Sequence, residues 1–219
     1  MRIKLDLHVH TTYSFDSAID PAGLREICRE RGLAGVAITD HDSLQGSLAF
    51  ASELPDLLII PGSEIRSAEG EIIGLFLAEE IPPGLPAPET LRRIHEQGGV
   101  AVIPHPFDIV KLKRMSSRRL EELEGEIDAI EVLNGKPRWW LANSSARRFA
   151  DEHGLPVTAG SDAHKTSHVG LLYTEMEGFS GPAGFMASLG GASVHGKRYS
   201  PWASQLDRWR ARLRKSGDR

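Results

Sequence analysis

The sequence predicts an α/β fold in which a mostly parallel sheet is built from strand–helix repeats. Short runs rich in Val, Ile and Leu alternate with helical patterns about seven times, which requires strands joined by right-handed crossovers. Hydrophobic residues make up 40% of the 219 residues and charged residues 26%, a balance typical of a globular domain. We expect the sheet to close into a small, distorted barrel; an open doubly wound sheet is the alternative.

Each element is predicted from periodicity and end signals. The predicted strands are 3–7, 35–39, 57–60, 72–77, 100–103, 129–133, 155–158 and a further short run at 170–173. The first helix begins with Asp20 as its cap and Pro21 in its first turn, carries Leu24 and Ile27 at helical spacing, and ends at Gly32. The later helices are predicted at 43–52, 88–97, 117–123, 139–152 and 182–189.

Composition and end segments exclude several classes of protein. With a net charge of −4, the chain lacks the overall basic character of a dedicated nucleic-acid binder. A single cysteine, Cys28, excludes an intramolecular disulfide and a thiolate metal cluster. No secretion signal and no apolar run of membrane-spanning length are present, so we expect a cytoplasmic protein that does not insert into a membrane. Residues 1–200 are expected to form one domain and residues 201–219 a basic C-terminal helix.

Polar side chains follow six of the predicted strands at the same end. His8 and His10 are separated by one residue. Because side chains alternate along a strand, both imidazoles project from one side, where they can bind one cation. Since active sites of α/β folds lie at the carboxyl ends of the strands, this repeated placement predicts a site there. The residues are His8, His10, Asp40, His41, Glu64, His105, Asn134, Asp162 and His164.

The segments that carry these residues are HVHTTYSFDS, ITDHD, PGSEI, IPHP, IEVLNG and GSDAH. In this order they resemble the polymerase-and-histidinol-phosphatase (PHP) family, over residues 5 to about 170. The resemblance implies a metal-dependent phosphoesterase on a distorted, seven-stranded, TIM-like β/α barrel, with residues 1–200 as its catalytic domain.

The resemblance also implies which side chains bind metal. A first ion would be held by His8, His10, Glu64 and Asp162; a second by Glu64, as a bridge, and His105; a third by Asp16, His41 and His164. Many relatives have a histidine where this chain has Glu71, so we expect Glu71 to complete the second site, with Asn134, water or substrate as alternatives. Imidazole and carboxylate ligands suit Mn, Fe or Zn, and two or three such ions are expected.

Such ions would polarise a phosphoester and lower the pKa of a bridging water to about 7, so that a metal-bridging hydroxide attacks. The cationic candidates for substrate binding are Arg66, Lys136, Arg138, Lys165 and His168. Among them Arg138 is favoured for its forked geometry and His168 as proton donor to the leaving alcohol, while Asp40 is expected to orient a ligand imidazole. The expected substrate is a small phosphorylated compound.

Two alternatives remain open. One is a nucleic-acid exonuclease acting at a 3′ end, which the basic residues of 201–219 favour. The other is a non-catalytic metal-binding module. His95, His153 and His195 lie outside the matching segments and are expected to be structural.

Overall fold

A nine-stranded sheet curls into a nearly closed barrel with helices packed against it. The computed structural model describes residues 1–108, 114–135 and 141–196, and the numbers of elements given below refer to those residues. The strands are β1 (Arg2–Val9), β2 (Gly35–His41), β3 (Leu58–Arg66), β4 (Glu71–Leu75), β5 (Val100–Ile103), β6 (Ala129–Asn134), β7 (Val157–Gly160), β8 (Leu172–Glu177) and β9 (Ser193–Gly196). The helices are α1 (Pro21–Arg31), α2 (Gln45–Glu53), α3 (Ala87–Glu96), α4 (Ser117–Glu122), α5 (Ala142–His153) and α6 (Gly181–Leu189).

The sheet is mixed. Its order is β7-β6-β5-β4-β3-β2-β1-β8-β9. The strands β1–β3 pair in parallel, as do β5–β7, whereas β4 and β8 are antiparallel to both of their neighbours. The predicted α/β barrel class is confirmed, but the expected seven mostly parallel strands are wrong in number and pairing. The turn between β3 and β4 is only residues 67–70, too short for the crossover that a parallel pair needs, so β4 must run back.

The barrel closes where β7 approaches β1. The amide of Asp162 donates to the carbonyl of His8 at 2.9 Å, and the amide of His10 donates to the carbonyl of Ala163 at 3.0 Å. Gly160 permits this approach, because a Cβ on it would lie 2.2 Å from the Cβ of His8. The polar ends of the first and last parallel strands are thereby brought together.

The apolar core has three parts. One cluster combines side chains from seven strands with Phe185 and Leu189 of α6, which is possible only inside a curved sheet. A second lies between the sheet and α3–α5, and a third between the sheet and α1–α2. The predicted first helix is confirmed: the Asp20 side chain accepts from the amide of Gly23, and Gly32 ends the helix in the left-handed conformation at φ 62°.

Differences from the predicted elements are local. The strand predicted at 57–60 continues to Arg66, so that Glu64 lies within β3 and not beyond its end. The strand β9 was not predicted. The predicted C-terminal helix at 201–219 lies outside the described residues, and the boundary at 200 stays a prediction. Among the described helices, none has the length and apolarity to cross a membrane.

This topology determines where the site forms. Six strands share one direction and therefore end at the same rim of the barrel. Because β4 runs in the opposite direction, its first residue, Glu71, lies at that same rim, opposite Arg66 of β3. At this rim, polar side chains come from the ends of these strands or from the loops beside them.

Candidate metal centre

Two buried histidines face each other at this rim, one at the end of β1 and one directly after it. The Nε2 atoms of His8 and His10 are 3.1 Å apart, and both side chains are fully buried. Burial disfavours a charged imidazole, but the carboxylates of Glu131 and Asp162 raise the pKa of His8 well above its ordinary value. Burial lowers the pKa of His10 well below its ordinary value.

Glu64 of β3 lies at the centre of the cluster. Its Oε1 is 2.9 Å from Nε2 of His105 and 3.6 Å from Nε2 of His8. Its Oε2 is 3.0 Å from Nδ1 of His41 and 3.6 Å from Nε2 of His10. Burial by itself would raise the pKa of Glu64, but the surrounding imidazoles, His8 above all, hold it well below its usual range. The side chain is an anion that contacts four histidines.

A second carboxylate and an outer layer complete the arrangement. Oδ1 of Asp162 lies 3.6 Å from Nε2 of His10 and 3.6 Å from Nδ1 of His164. Asp16, in the loop after β1, is 3.0 Å from Nε2 of His164 and 3.6 Å from Nε2 of His41. His41 and His164 are 19% and 14% exposed and Asp16 is 38% exposed, so this is the side on which the buried cluster meets solvent.

Backbone strain is concentrated at the same rim. His105 and Asp162 have positive φ angles of 34° and 52°, and Asp42, beside His41, also has a φ of 52°. Residues other than glycine rarely adopt this conformation, and it is typically retained at functional sites. The strained backbone aims two of the cluster's side chains.

The donor set fits divalent transition metals. Four groups of side chains have ligand atoms within 4.8 Å of one another: His8, His10 and Asp162; His10, His41 and His164; His41, Glu64 and Glu71; and His8, His105 and Glu131. Imidazole and carboxylate together suit Mn, Fe or Zn. The convergence of two buried Nε2 atoms on one space, flanked by carboxylates, is the arrangement expected of ligands whose ion neutralises an otherwise costly buried cluster.

Sequence comparison shows the family to which this chain belongs. Residues 6–71 match the PHP domain and residues 140–192 match the PHP-associated family. The uncharacterized protein MJ1587 of Methanocaldococcus jannaschii is 36% identical over 156 residues, which cover 66% of this chain and 89% of that protein. This chain belongs to the PHP family.

Solved structures of other proteins share this fold. A two-domain protein from Bacteroides vulgatus, described as containing a predicted PHP-like metal-dependent phosphoesterase, superposes with a TM-score of 0.71 at 20% identity, covering 90% of this chain and 65% of that one. The lesion-specific endonuclease PfuEndoQ from Pyrococcus furiosus superposes with a TM-score of 0.66 at 17% identity, covering 89% of this chain and 58% of that one. This fold is thus shared by a protein described as a metal-dependent phosphoesterase and by one described as an endonuclease.

The structure brings together all nine residues that the PHP resemblance assigns to metal binding, and their roles as ligands stay predictions. Glu71 is buried, and its Oε2 lies 3.7 Å from Nε2 of His105. The nine residues are His8, His10, Asp16, His41, Glu64, Glu71, His105, Asp162 and His164.

Two of the residues predicted to bind substrate, Arg66 and Lys165, are exposed. Arg66 is half exposed at the rim, where its amide and guanidinium both donate to the carboxylate of Asp42. Lys165 is exposed and precedes a 3-10 turn, Thr166–His168, that packs against α1. Their roles, and that of His168, stay predictions. Lys136 and Arg138 lie outside the described residues.

Asp40 supports the site through a loop. Its side chain accepts from the amide of Thr11 at 2.7 Å and from the hydroxyl of Ser14 at 2.5 Å. Ser14 Oγ is in turn 3.3 Å from Nδ1 of His10. The connection to a ligand imidazole is therefore indirect and runs through Ser14.

One buried carboxylate was missed by the sequence analysis. Glu131 of β6 lies with Oε1 2.9 Å from Nδ1 of His8, while Oε2 accepts from the amide of His105 and from Nδ2 of Asn134, each at 2.8 Å. With the Nδ1 proton of His8 and two further donors on its oxygens, Glu131 is suited to orient the imidazole of His8. A charged residue within the apolar strand IEVLN was the signal that could have identified it.

Proposed function

We propose that this protein is a metal-dependent hydrolase of phosphoesters that uses two or three divalent ions. The observation that supports the proposal is the convergence of nine imidazole and carboxylate side chains at the barrel rim, where four of the imidazoles surround the carboxylate of Glu64. Bound divalent ions would supply Lewis acidity toward the phosphoryl oxygens and neutralise developing charge. Mn, Fe and Zn are the metals that this donor set favours.

The chain's own residues prepare the site. Glu131 accepts the Nδ1 proton of His8, which leaves the Nε2 lone pair of His8 directed into the cluster. The linkage from Asp40 through Ser14 holds Nδ1 of His10 in the same way. The ligand atoms are thereby oriented before an ion binds.

Other side chains would act on the substrate. We assign Arg66, Lys136, Arg138 and Lys165 to the phosphoryl oxygens that the cluster does not contact, because cationic groups compensate the charge of a phosphoester. His168 would donate a proton to the leaving oxygen. A small phosphorylated compound is the expected substrate.

A nucleic-acid phosphodiesterase is the second candidate. The fold is shared with the endonuclease PfuEndoQ, and the basic segment 201–219 supplies positive charge for a polyanion. A non-catalytic metal-binding module is the third.

The test combines metal analysis with turnover. The protein is stripped of metal, reconstituted separately with Mn, Zn and Mg, and assayed on p-nitrophenyl phosphate and bis-p-nitrophenyl phosphate. We expect turnover only with metal. Glu64→Gln should lose more metal and more activity than Glu71→Gln, because Glu64 contacts four histidines. His95→Ala serves as the control, because His95 lies on α3 and is hydrogen-bonded to Asp128. Bound metal without turnover of any ester would support the non-catalytic module instead.

A further inference from the structure

An exposed aromatic ring stands at the solvent side of the metal centre. Phe15 is 89% exposed, the highest value for any aromatic side chain among the described residues. Its ring stacks on the imidazole of His41, with centroids 5.5 Å apart and an interplanar angle of 27°. The next residue, Asp16, contacts both His41 and His164. Phe15 therefore lies beside the partly exposed face of the cluster.

The loop that carries Phe15 is held in place. The amide of Ser14 donates to the carbonyl of Thr11 at 2.9 Å, and the hydroxyl of Ser17 donates to the carbonyl of His10 at 2.9 Å. The amide of Ala18 donates to the carbonyl of His164 at 3.4 Å. The ring is thus carried by a hydrogen-bonded loop, and its contact with His41 leaves the rest of the ring open to solvent.

The exposed position of Phe15 does not stabilise the fold through burial. A phenylalanine left in water forfeits the burial that usually stabilises an aromatic side chain. Tyr13, two residues earlier, instead packs edge-on against Phe50 at 6.5 Å. A rigid, solvent-facing ring stacked on a residue of the cluster is suited to receive a second planar ring, and little conformational entropy is lost when it does.

We infer that Phe15 is a stacking platform for a nucleobase, and that the substrate of this site is a nucleotide phosphoester, free or at the end of an oligonucleotide. The inference rests on the proposed phosphoesterase function. A nucleotide carries both features that the rim matches: an anionic ester for the metal centre and a flat ring a few bonds away for Phe15. Base–aromatic stacking tolerates every base, so the platform selects the class of compound and not a sequence.

The experiment compares esters that differ only in the base. Metal-reconstituted wild type, Phe15→Ala and Phe15→Trp are assayed on adenosine 5′-monophosphate and on ribose 5-phosphate. We expect Phe15→Ala to lower kcat/KM for the nucleotide about tenfold more than for the sugar phosphate, as for the loss of one stack. Phe15→Trp should retain the preference. Leu58→Ala, which removes a partly exposed apolar side chain at the opposite end of β3, is the matched control.

A binding measurement separates this inference from the proposed function. Adenosine has no ester to cleave, and saturation-transfer NMR should detect its base protons on wild type but not on Phe15→Ala. If no ester is turned over but adenosine binding depends on Phe15, the stacking platform stands and the phosphoesterase fails. If both esters are hydrolysed and Phe15→Ala affects them equally, Phe15 merely positions His41 and the inference is overturned. A 5′-phosphorylated oligonucleotide in parallel distinguishes a strand end from a free nucleotide, since the better substrate identifies the source.

Discussion

At the scale of single residues, the site depends on how each imidazole is oriented. His8 is held by Glu131 through Nδ1, and its Nε2 is left to face His10 and Glu64. Glu131 also accepts from the backbone of His105, a strained residue, so one carboxylate connects two of the histidines around Glu64. A histidine that binds metal generally needs such a partner to fix its tautomer and ring plane.

Glu131→Gln tests this orientation. The amide NH₂ of glutamine must face either the Nδ1 proton of His8 or the two donors from His105 and Asn134, so at least one donor is opposed. We expect about a 10- to 100-fold loss of affinity for Mn, measured by competition with a chelating dye. Asp128→Asn is a matched control. Asp128 also pairs with a histidine, its Oδ2 lying 2.9 Å from Nε2 of His95, but this pair lies outside the cluster. Equal loss of affinity in both variants would show a general destabilisation and not an orienting role.

At the scale of elements, the closure of the barrel depends on a buried carboxylate of β1. Asp6 is fully buried, and its Oδ1 accepts from the amide of Ser161, after β7, at 2.8 Å. Its Oδ2 accepts from the amide of Gly170, before β8, at 2.7 Å. One side chain thereby ties both segments to β1, next to the histidines whose geometry depends on that closure.

Asp6→Ala should destabilise the fold in a pH-dependent way. Burial raises the pKa of Asp6 to about 6 from an ordinary value near 4. Since the folded pKa is the higher one, the stabilising contribution from this titration is complete below about pH 4 and is lost as the pH rises through 6. We expect a loss of at least about 2 kcal/mol near pH 4, shrinking toward pH 7, in urea unfolding with a chelator present.

Asp20→Ala is the control for that measurement. It removes an exposed helix cap on α1 and should cost about 1 kcal/mol. A constant difference between wild type and Asp6→Ala across this pH range would contradict the raised pKa.

At the scale of the whole molecule, the barrel concentrates charge where water is excluded. His8, His10, Glu64, His105, Glu131 and Asp162 are each at most 3% exposed. Grouping so many ionisable side chains in one place is costly unless they are neutralised or paired. The ions proposed for the site would therefore act on stability as well as on chemistry, because they bind the folded chain and not the dispersed ligands of the unfolded one.

Removal of metal should therefore lower the melting temperature. We expect chelation to decrease Tm, added Mn or Zn to restore it, and the increase to grow with the logarithm of the free metal concentration. Differential scanning calorimetry checks this directly. Glu64→Gln should show a much weaker response, and an identical Tm with and without metal in the wild type would contradict a metal site in this cluster.

Much of the fold and the site was predictable because both depend on local sequence. Eight strands and the helices within the described residues follow periodicity and caps, and the histidines and carboxylates stand where strands end. The pairing of β4 and the addition of β9 were not predictable, because strand direction depends on turn length and on which edge is free. Glu131 was missed because a lone glutamate in a strand gives no indication of its partner 123 residues away.

The alternation of strands and helices, the lack of a thiolate cluster and the residue types at the barrel rim all follow from the amino-acid sequence alone. Which side chains meet depends on how the chain folds in three dimensions. Closure of β7 onto β1 puts Asp162 beside His10, and the reversed direction of β4 puts Glu71 beside His105. Both contacts join residues far apart in the chain, and local periodicity carries no information about such distances, whereas the packed barrel determines them.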